Sequence, residues 1–205
     1  MSVHILRKGQ LLLQTLVFAI GFMLQGLIFS GGVAHATTMT QCWYDAVPSG
    51  YAVTAIYTSS ACGSDTYNTY TDTTLSNGMT MCSQAMNPPT GWVATSIGNT
   101  ATCGPTYAYG NEYAITSSLT SGMTMCSQAT PIPSGWVVTA TGNSGTCDES
   151  ESSGNQYQIK QPSVGLAMCI DVDSPPAGWT YTTTYNSSTC GASVEGGNTA
   201  VLEES

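Results

Sequence analysis

Residues 79–103 read MTMCSQAMNPPTGWVATSIGNTATC, and residues 123–147 read MTMCSQATPIPSGWVVTATGNSGTC. Two stretches this alike, each opening and closing on Cys-bearing runs, identify an internal repeat, and weaker copies flank them. Cys42, Cys82, Cys126 and Cys169 each open a unit, at intervals of 40, 44 and 43 residues. A Pro-x-Gly-aromatic turn follows in every copy, ending on Tyr51, Trp92, Trp136 or Trp179. From its Gly to the second Cys (Cys62, Cys103, Cys147, Cys190) the step is twelve residues in all four copies. An Asn comes next: Asn68, Asn111, Asn155 or Asn198. Fixed spacing at this period is the mark of a repeat array.

Each copy reads as three strands. The first is Met79–Cys82 or Met123–Cys126, with Met39–Cys42 and Leu166–Cys169 as variants. Pro then sets φ, and Gly accepts the positive φ that a tight turn demands. A second strand follows whose alternation puts Trp136, Val138 and Ala140 on one face and Val137, Thr139 and Thr141 on the other. Thr54, Thr95, Thr139 and Thr182 hold one place in all four copies. A Gly/Ser/Asn-rich turn carries the second Cys, and an Asn-x-Tyr-x-Ile run such as Asn111–Ile115 supplies the third strand. Nothing after residue 36 has helical period, and its Thr, Ser, Gly and Tyr favour strands and turns.

A unit of about 42 residues is near the size at which a hydrophobic core alone fails. One disulfide per unit offsets the deficit, at roughly 3 kcal/mol for a loop of about 20 residues. Pairing within units gives separations of 20, 21, 21 and 21, whereas pairing between neighbours leaves Cys42 and Cys190 stranded. The expected bridges are therefore Cys42–Cys62, Cys82–Cys103, Cys126–Cys147 and Cys169–Cys190.

The first 36 residues differ in kind. Arg7 and Lys8 precede an uncharged, Leu/Val/Ile/Phe-rich run from Gly9 to Val33, which closes on Ala34-His35-Ala36. That is the layout of a secretory signal with its cleavage site, giving a mature start at Thr37. A retained membrane anchor is the competing reading. Export places the eight Cys in an oxidising setting, so the protein is expected outside the cell or on its surface, with the periplasm as a further possibility. The prediction is an all-β protein: a cleaved signal helix (1–36), then tandem disulfide-stapled repeats at 37–78, 79–122, 123–165 and 166–205. Each repeat is expected to be a small three-stranded antiparallel unit.

Residues 37–205 keep one Lys, Lys160, no Arg and no His, against all twelve acidic groups, a net charge of −11. Nothing basic is there to neutralise phosphates, which excludes a nucleic-acid binder. Nucleophilic hydrolysis needs a base beside the nucleophile, and without His only a Ser–Lys160 dyad is left; Lys160 at a strand end reads instead as solvated. The acidic residues fall differently in each repeat and present no cleft for paired carboxylates. No enzyme, cofactor or metal is expected. Met79 and Met81, or Met123 and Met125, have soft-ligand spacing for copper, and Asp148-Glu149-Ser150-Glu151 with Asp171 and Asp173 have oxygen donors for calcium. Half-buried strands and solvated acidic loops are the simpler readings.

Tyr51, Trp92, Trp136 and Trp179 are expected to anchor the core, because an aromatic fixed in every copy of a small module supplies most of its burial. The irregular tyrosines Tyr44, Tyr57, Tyr107, Tyr109, Tyr181 and Tyr185 are the candidates for a ligand or adhesive surface. The expected role is structural or adhesive, at the cell surface, in a matrix or in a filament. The alternative is a module that binds carbohydrate or another surface ligand through exposed Tyr and Trp. If neighbouring units pair through their Met-x-Met-Cys strands, unpaired edges at both ends would template head-to-tail self-assembly. No membrane contact is expected after signal cleavage.

Overall fold

The computed structural model describes residues 36–105, 110–147 and 154–205. The predicted signal segment lies almost wholly outside them, as do Tyr107, Tyr109 and the Asp148–Glu151 loop. Residues 36–205 form one compact unit. They hold four three-stranded sheets, each built from one repeat. Strands β1 (Thr38–Cys42), β2 (Tyr51–Tyr57) and β3 (Thr69–Thr74) make the first sheet; β4 (Met79–Cys82), β5 (Val93–Gly98) and β6 (Glu112–Thr116) make the second. The third is β7 (Met123–Cys126), β8 (Val137–Gly142) and β9 (Gln156–Lys160); the fourth is β10 (Ala167–Cys169), β11 (Trp179–Tyr185) and β12 (Thr199–Glu204). In every sheet the third strand in sequence lies in the middle, antiparallel to both edges. No α-helix occurs among the described residues.

The turns form as their residues require. The amide of the aromatic residue donates to the Pro carbonyl three back, as in Trp136 N to Pro133 O at 3.1 Å, while Gly135 sits at φ 79°. That is a type II turn, which favours Gly at its third position. All four bridges join the cysteines expected, with Cα atoms 5.2–5.3 Å apart, and no cysteine is free. Each second Cys ends a single 3-10 turn: Ser60–Cys62, Ala101–Cys103, Gly145–Cys147 and Ser188–Cys190.

Two expectations need correction. The alternation of the second strand is broken by a bulge, between Val138 and Ala140 in β8 and at the same place in β2 and β5. The inserted residue resets the pleat beyond Val138, so Ala140 no longer shares its face. Val137 and Val138, which precede it, stay in regular register opposite Lys160 and Ile159, and both are fully buried because each meets a different cluster. The recurring Thr is that inserted residue. Its hydroxyl donates to a carbonyl of the central strand, Thr95 Oγ1 to Ala114 O at 3.3 Å and Thr139 Oγ1 to Gln158 O at 3.4 Å, which satisfies an acceptor where the ladder is interrupted.

Neighbouring units also do not pair strand to strand: the sheets are separate. Instead β2 packs on β4, β5 on β7 and β8 on β10, and each of these second strands also packs on the 3-10 turn of the next unit. The two buried bulge neighbours divide the work. Ala52 clusters with Met81 and Ile115, and Val137 with Met168, Ala200 and Leu202. One residue further on, Val53 lies with Cys82 and Cys103, and Ala94 with Cys126 and Cys147. Val138 joins a cluster holding Cys169 and Cys190. The core is therefore a series of junctions, each centred on the bridge of the following unit.

Candidate functional site

The asparagine after each second Cys is the most constrained polar group in the molecule. Asn68, Asn111, Asn155 and Asn198 are 0–1% exposed. Each Oδ1 accepts from the backbone N–H of the residue ahead of the 3-10 turn (Ser59, Thr100, Ser144, Ser187) at 2.8 Å. Each Nδ2 donates to that same residue's carbonyl at 2.9–3.0 Å. In the second unit Nδ2 also donates to Pro105 O at 3.0 Å, and in the fourth to Ala192 O at 3.1 Å. This is a clamp that fixes the Cys-bearing turn to the central strand. Every polar atom of the amide is used inside the fold, so the clamp is structural. The sequence signal, an Asn at one place in all four copies, marked a strand start but not this role.

The aromatic register is placed differently from the expectation of a buried anchor. Tyr51, Trp92, Trp136 and Trp179 are each half-buried. The three tryptophans pack against the junction clusters as partly buried groups, and the fully buried hydrophobic positions are Met, Val, Ile, Leu, Ala and Cys. The residue closes the turn that enters the second strand.

Of the candidate surface tyrosines, Tyr44, Tyr57, Tyr181 and Tyr185 are 64, 41, 46 and 44% exposed. The structure brings Tyr181 and Tyr185 onto one strand, β11, which is exposed from Thr180 through Tyr185. Tyr44 instead meets Trp43 edge-on, with ring centroids 6.2 Å apart. Trp43 is itself 50% exposed, and sequence reasoning missed it because it stands outside the Pro-x-Gly-aromatic register.

Asp72 is anomalous among the buried polar residues for a different reason. On β3 it pairs with Met39, as Ile115 on β6 pairs with Met79 and Ile159 on β9 with Met123. A carboxylate thus occupies an aliphatic position. It is completely buried, and neither oxygen has a hydrogen-bond partner. Burial pushes its pKa up, and burial together with the Asp72 charge pushes the Tyr70 phenol up.

The remaining candidates are spread out. Lys160 ends β9 opposite Val137. Met81 and Met125 are buried in junction clusters, while Met79 and Met123 accept from the backbone N–H of Ser76 and Thr120. Asp173 accepts from the N–H of Ser174 at 2.8 Å, and burial raises its pKa. Among the described residues no group of three His, Cys, Asp or Glu side chains is placed to hold a metal ion. Comparison of the chain with family models, with curated proteins and with solved structures gives no match.

Proposed function

We propose that this is a non-enzymatic, exported repeat protein with a structural or adhesive role at the cell surface, in an extracellular matrix or in a filament. One observation carries the reading: each of the three following units has its disulfide packed beneath the second strand of the unit before it. Crosslinks so placed resist reductants and hold every unit to its neighbour, a construction suited to durability in an oxidising environment. A chain with one Lys and no Arg after residue 36 also offers little to trypsin-like proteases. Among the described residues no helix is long and apolar enough to cross a membrane.

The test is fractionation of the native host, with and without the gene. Recovery of oxidised protein in the surface or matrix fraction, with weakened cohesion or attachment when it is lost, supports the role. Recovery of reduced protein inside the cell overturns it.

The second reading, a module for carbohydrate or another surface ligand, draws on the exposed rings of Trp43, Tyr44, Tyr181 and Tyr185. Binding to a glycan panel separates the two. Affinity for one sugar class that falls with Tyr181→Ala or Tyr44→Ala favours the ligand-binding reading.

A further inference from the structure

The junctions between units repeat, and the residues that make them can be compared position by position. On the giving side are two consecutive residues of the second strand: Ala52 and Val53, Val93 and Ala94, Val137 and Val138. All six are 0% exposed. In the fourth unit the same two places, counted from the turn aromatic, are Thr180 and Tyr181, and both are exposed. On the receiving side are a Met of the first strand, an aliphatic residue of the central strand, the bridge and the third residue after the first Cys. In the second to fourth units these are Met81, Met125 and Met168; Ile115, Ile159 and Leu202; and Ala85, Ala129 and Val172. In the first unit they are Gln41, Asp72 and Asp45.

The departures are therefore matched. Three junctions are apolar on both sides. The giving face of the fourth unit and the receiving face of the first have both turned polar, one toward hydroxyls and the other toward amide and carboxylate acceptors. Gln41 already donates its amide N–H to Asp45 O at 3.3 Å, which leaves its carbonyl oxygen to accept. Asp45 is exposed, and the Cys42–Cys62 bridge is half-buried where six other cysteines are fully buried.

From this we infer that β11 of one copy packs on the β1–β3 face of a second copy, in the register by which β8 packs on the fourth unit. This inference rests on the structural reading above and names its partner, another copy of this chain. In that register Thr180 takes the place of Val137 and meets Gln41, and Tyr181 takes the place of Val138 and lies over Cys42–Cys62. Asp72 is already buried and marks the register; the contacts are made by the groups around it. A hydroxyl-to-acceptor junction is weaker than an apolar one and more selective, because each donor needs its acceptor to offset desolvation. The contact is heterologous, so it propagates as a chain of copies unless the rotation closes. Glu203, paired with Thr180 across β11 and β12, brings a negative charge to an acidic receiving face. Association is therefore expected to strengthen with salt.

The test is light scattering on the exported, oxidised protein at high salt, alone and with two surface variants. Tyr181→Glu blocks the giving face, and Asp45→Trp blocks the receiving face by setting a bulky ring where the other units carry Ala85, Ala129 and Val172; both residues are exposed, and bridge mapping checks that each variant folds. Wild type should form concentration-dependent oligomers, each variant alone should stay monomeric, and their equimolar mixture should stop at a dimer. A wild type that stays monomeric, or either variant assembling alone, overturns the junction. If the junction fails while the protein still fractionates with the surface, the structural role stands. If it holds while the protein is found reduced inside the cell, the role falls and the junction stands.

Discussion

Asn111 brackets the backbone of Thr100, accepting from its N–H at 2.8 Å and donating to its carbonyl at 2.9 Å. Thr100 in turn caps the Cys103-bearing turn, its hydroxyl accepting from Thr102 N at 3.3 Å. One side chain thereby sets where Cys103 can stand relative to β6. Asn111→Ala should destabilise the protein by about 1–3 kcal/mol, the cost of leaving a buried N–H without a partner. Denaturant unfolding of the oxidised chain checks this. An unchanged midpoint would mean that the bridge, and not the amide, holds the turn.

The bulge threonine gives a smaller and more selective effect. Thr139→Val keeps the shape and removes the hydroxyl that bonds Gln158 O, so it should cost about 1 kcal/mol. Thr139→Ser keeps the donor and should cost less. A larger loss for Thr139→Ser than for Thr139→Val would show that the methyl group, and not the hydrogen bond, supports the bulge.

Trp136 is half-buried against a junction cluster. Covering roughly half of a ring that can bury about 200 Å² is worth about 2–3 kcal/mol, so Trp136→Ala should lose that much. Val138, fully buried beside Cys169 and Cys190, should be as sensitive to Val138→Asp as any position, because an unpaired charge would enter the junction. Thermal melts of both variants check the ranking.

Asp72 makes stability depend on pH in a definite direction. Its folded pKa lies above the ordinary carboxylate value because burial disfavours the charge. Between those two values the folded chain binds more protons than the unfolded one, so stability is greatest below the ordinary value and falls as pH rises through the raised one. The cross-strand neighbours Met39 and Val53 are uncharged, and Tyr70 is the titratable group beside it. Asp72→Leu, which installs the residue that β12 carries at this place, should raise stability near neutrality and remove most of this slope. A residual slope from Asp173, whose pKa is also raised by burial, is expected to stay. A loss of stability in Asp72→Leu across the whole pH range would contradict this account.

The Cys spacing and the Pro-x-Gly turns were enough to read the strands, their grouping and all four bridges, because each depends on residues close in sequence. What escaped was set by residues meeting across strands or units. A period of two cannot reveal an inserted residue, so Val138 and Ala140 read as one face until the bulge at Thr139 separated them. The role of Asn111 depends on Thr100, eleven positions earlier, and its fixed place alone could not tell a clamp from a strand start. The anomaly at Asp72 needed the pairing with Met39, which sets it in line with Ile115. Whether units meet by strand pairing or by packing was left open, because an edge strand and a packed strand look the same in sequence. Of the candidate surface, the exposure of Tyr44 and Tyr181 was legible from their irregular placement, and that of Trp43 was not.

The most direct test of the array is graded reduction of the native oxidised protein, with each newly freed thiol labelled and mapped by mass spectrometry. Cys42–Cys62 is half-buried, whereas the other three bridges lie beneath a preceding strand. The account predicts four bridges within units, with Cys42–Cys62 opening first and the others only as their junctions unfold. A bridge such as Cys62–Cys82, or an interior bridge that opens before Cys42–Cys62 in the folded protein, would contradict it.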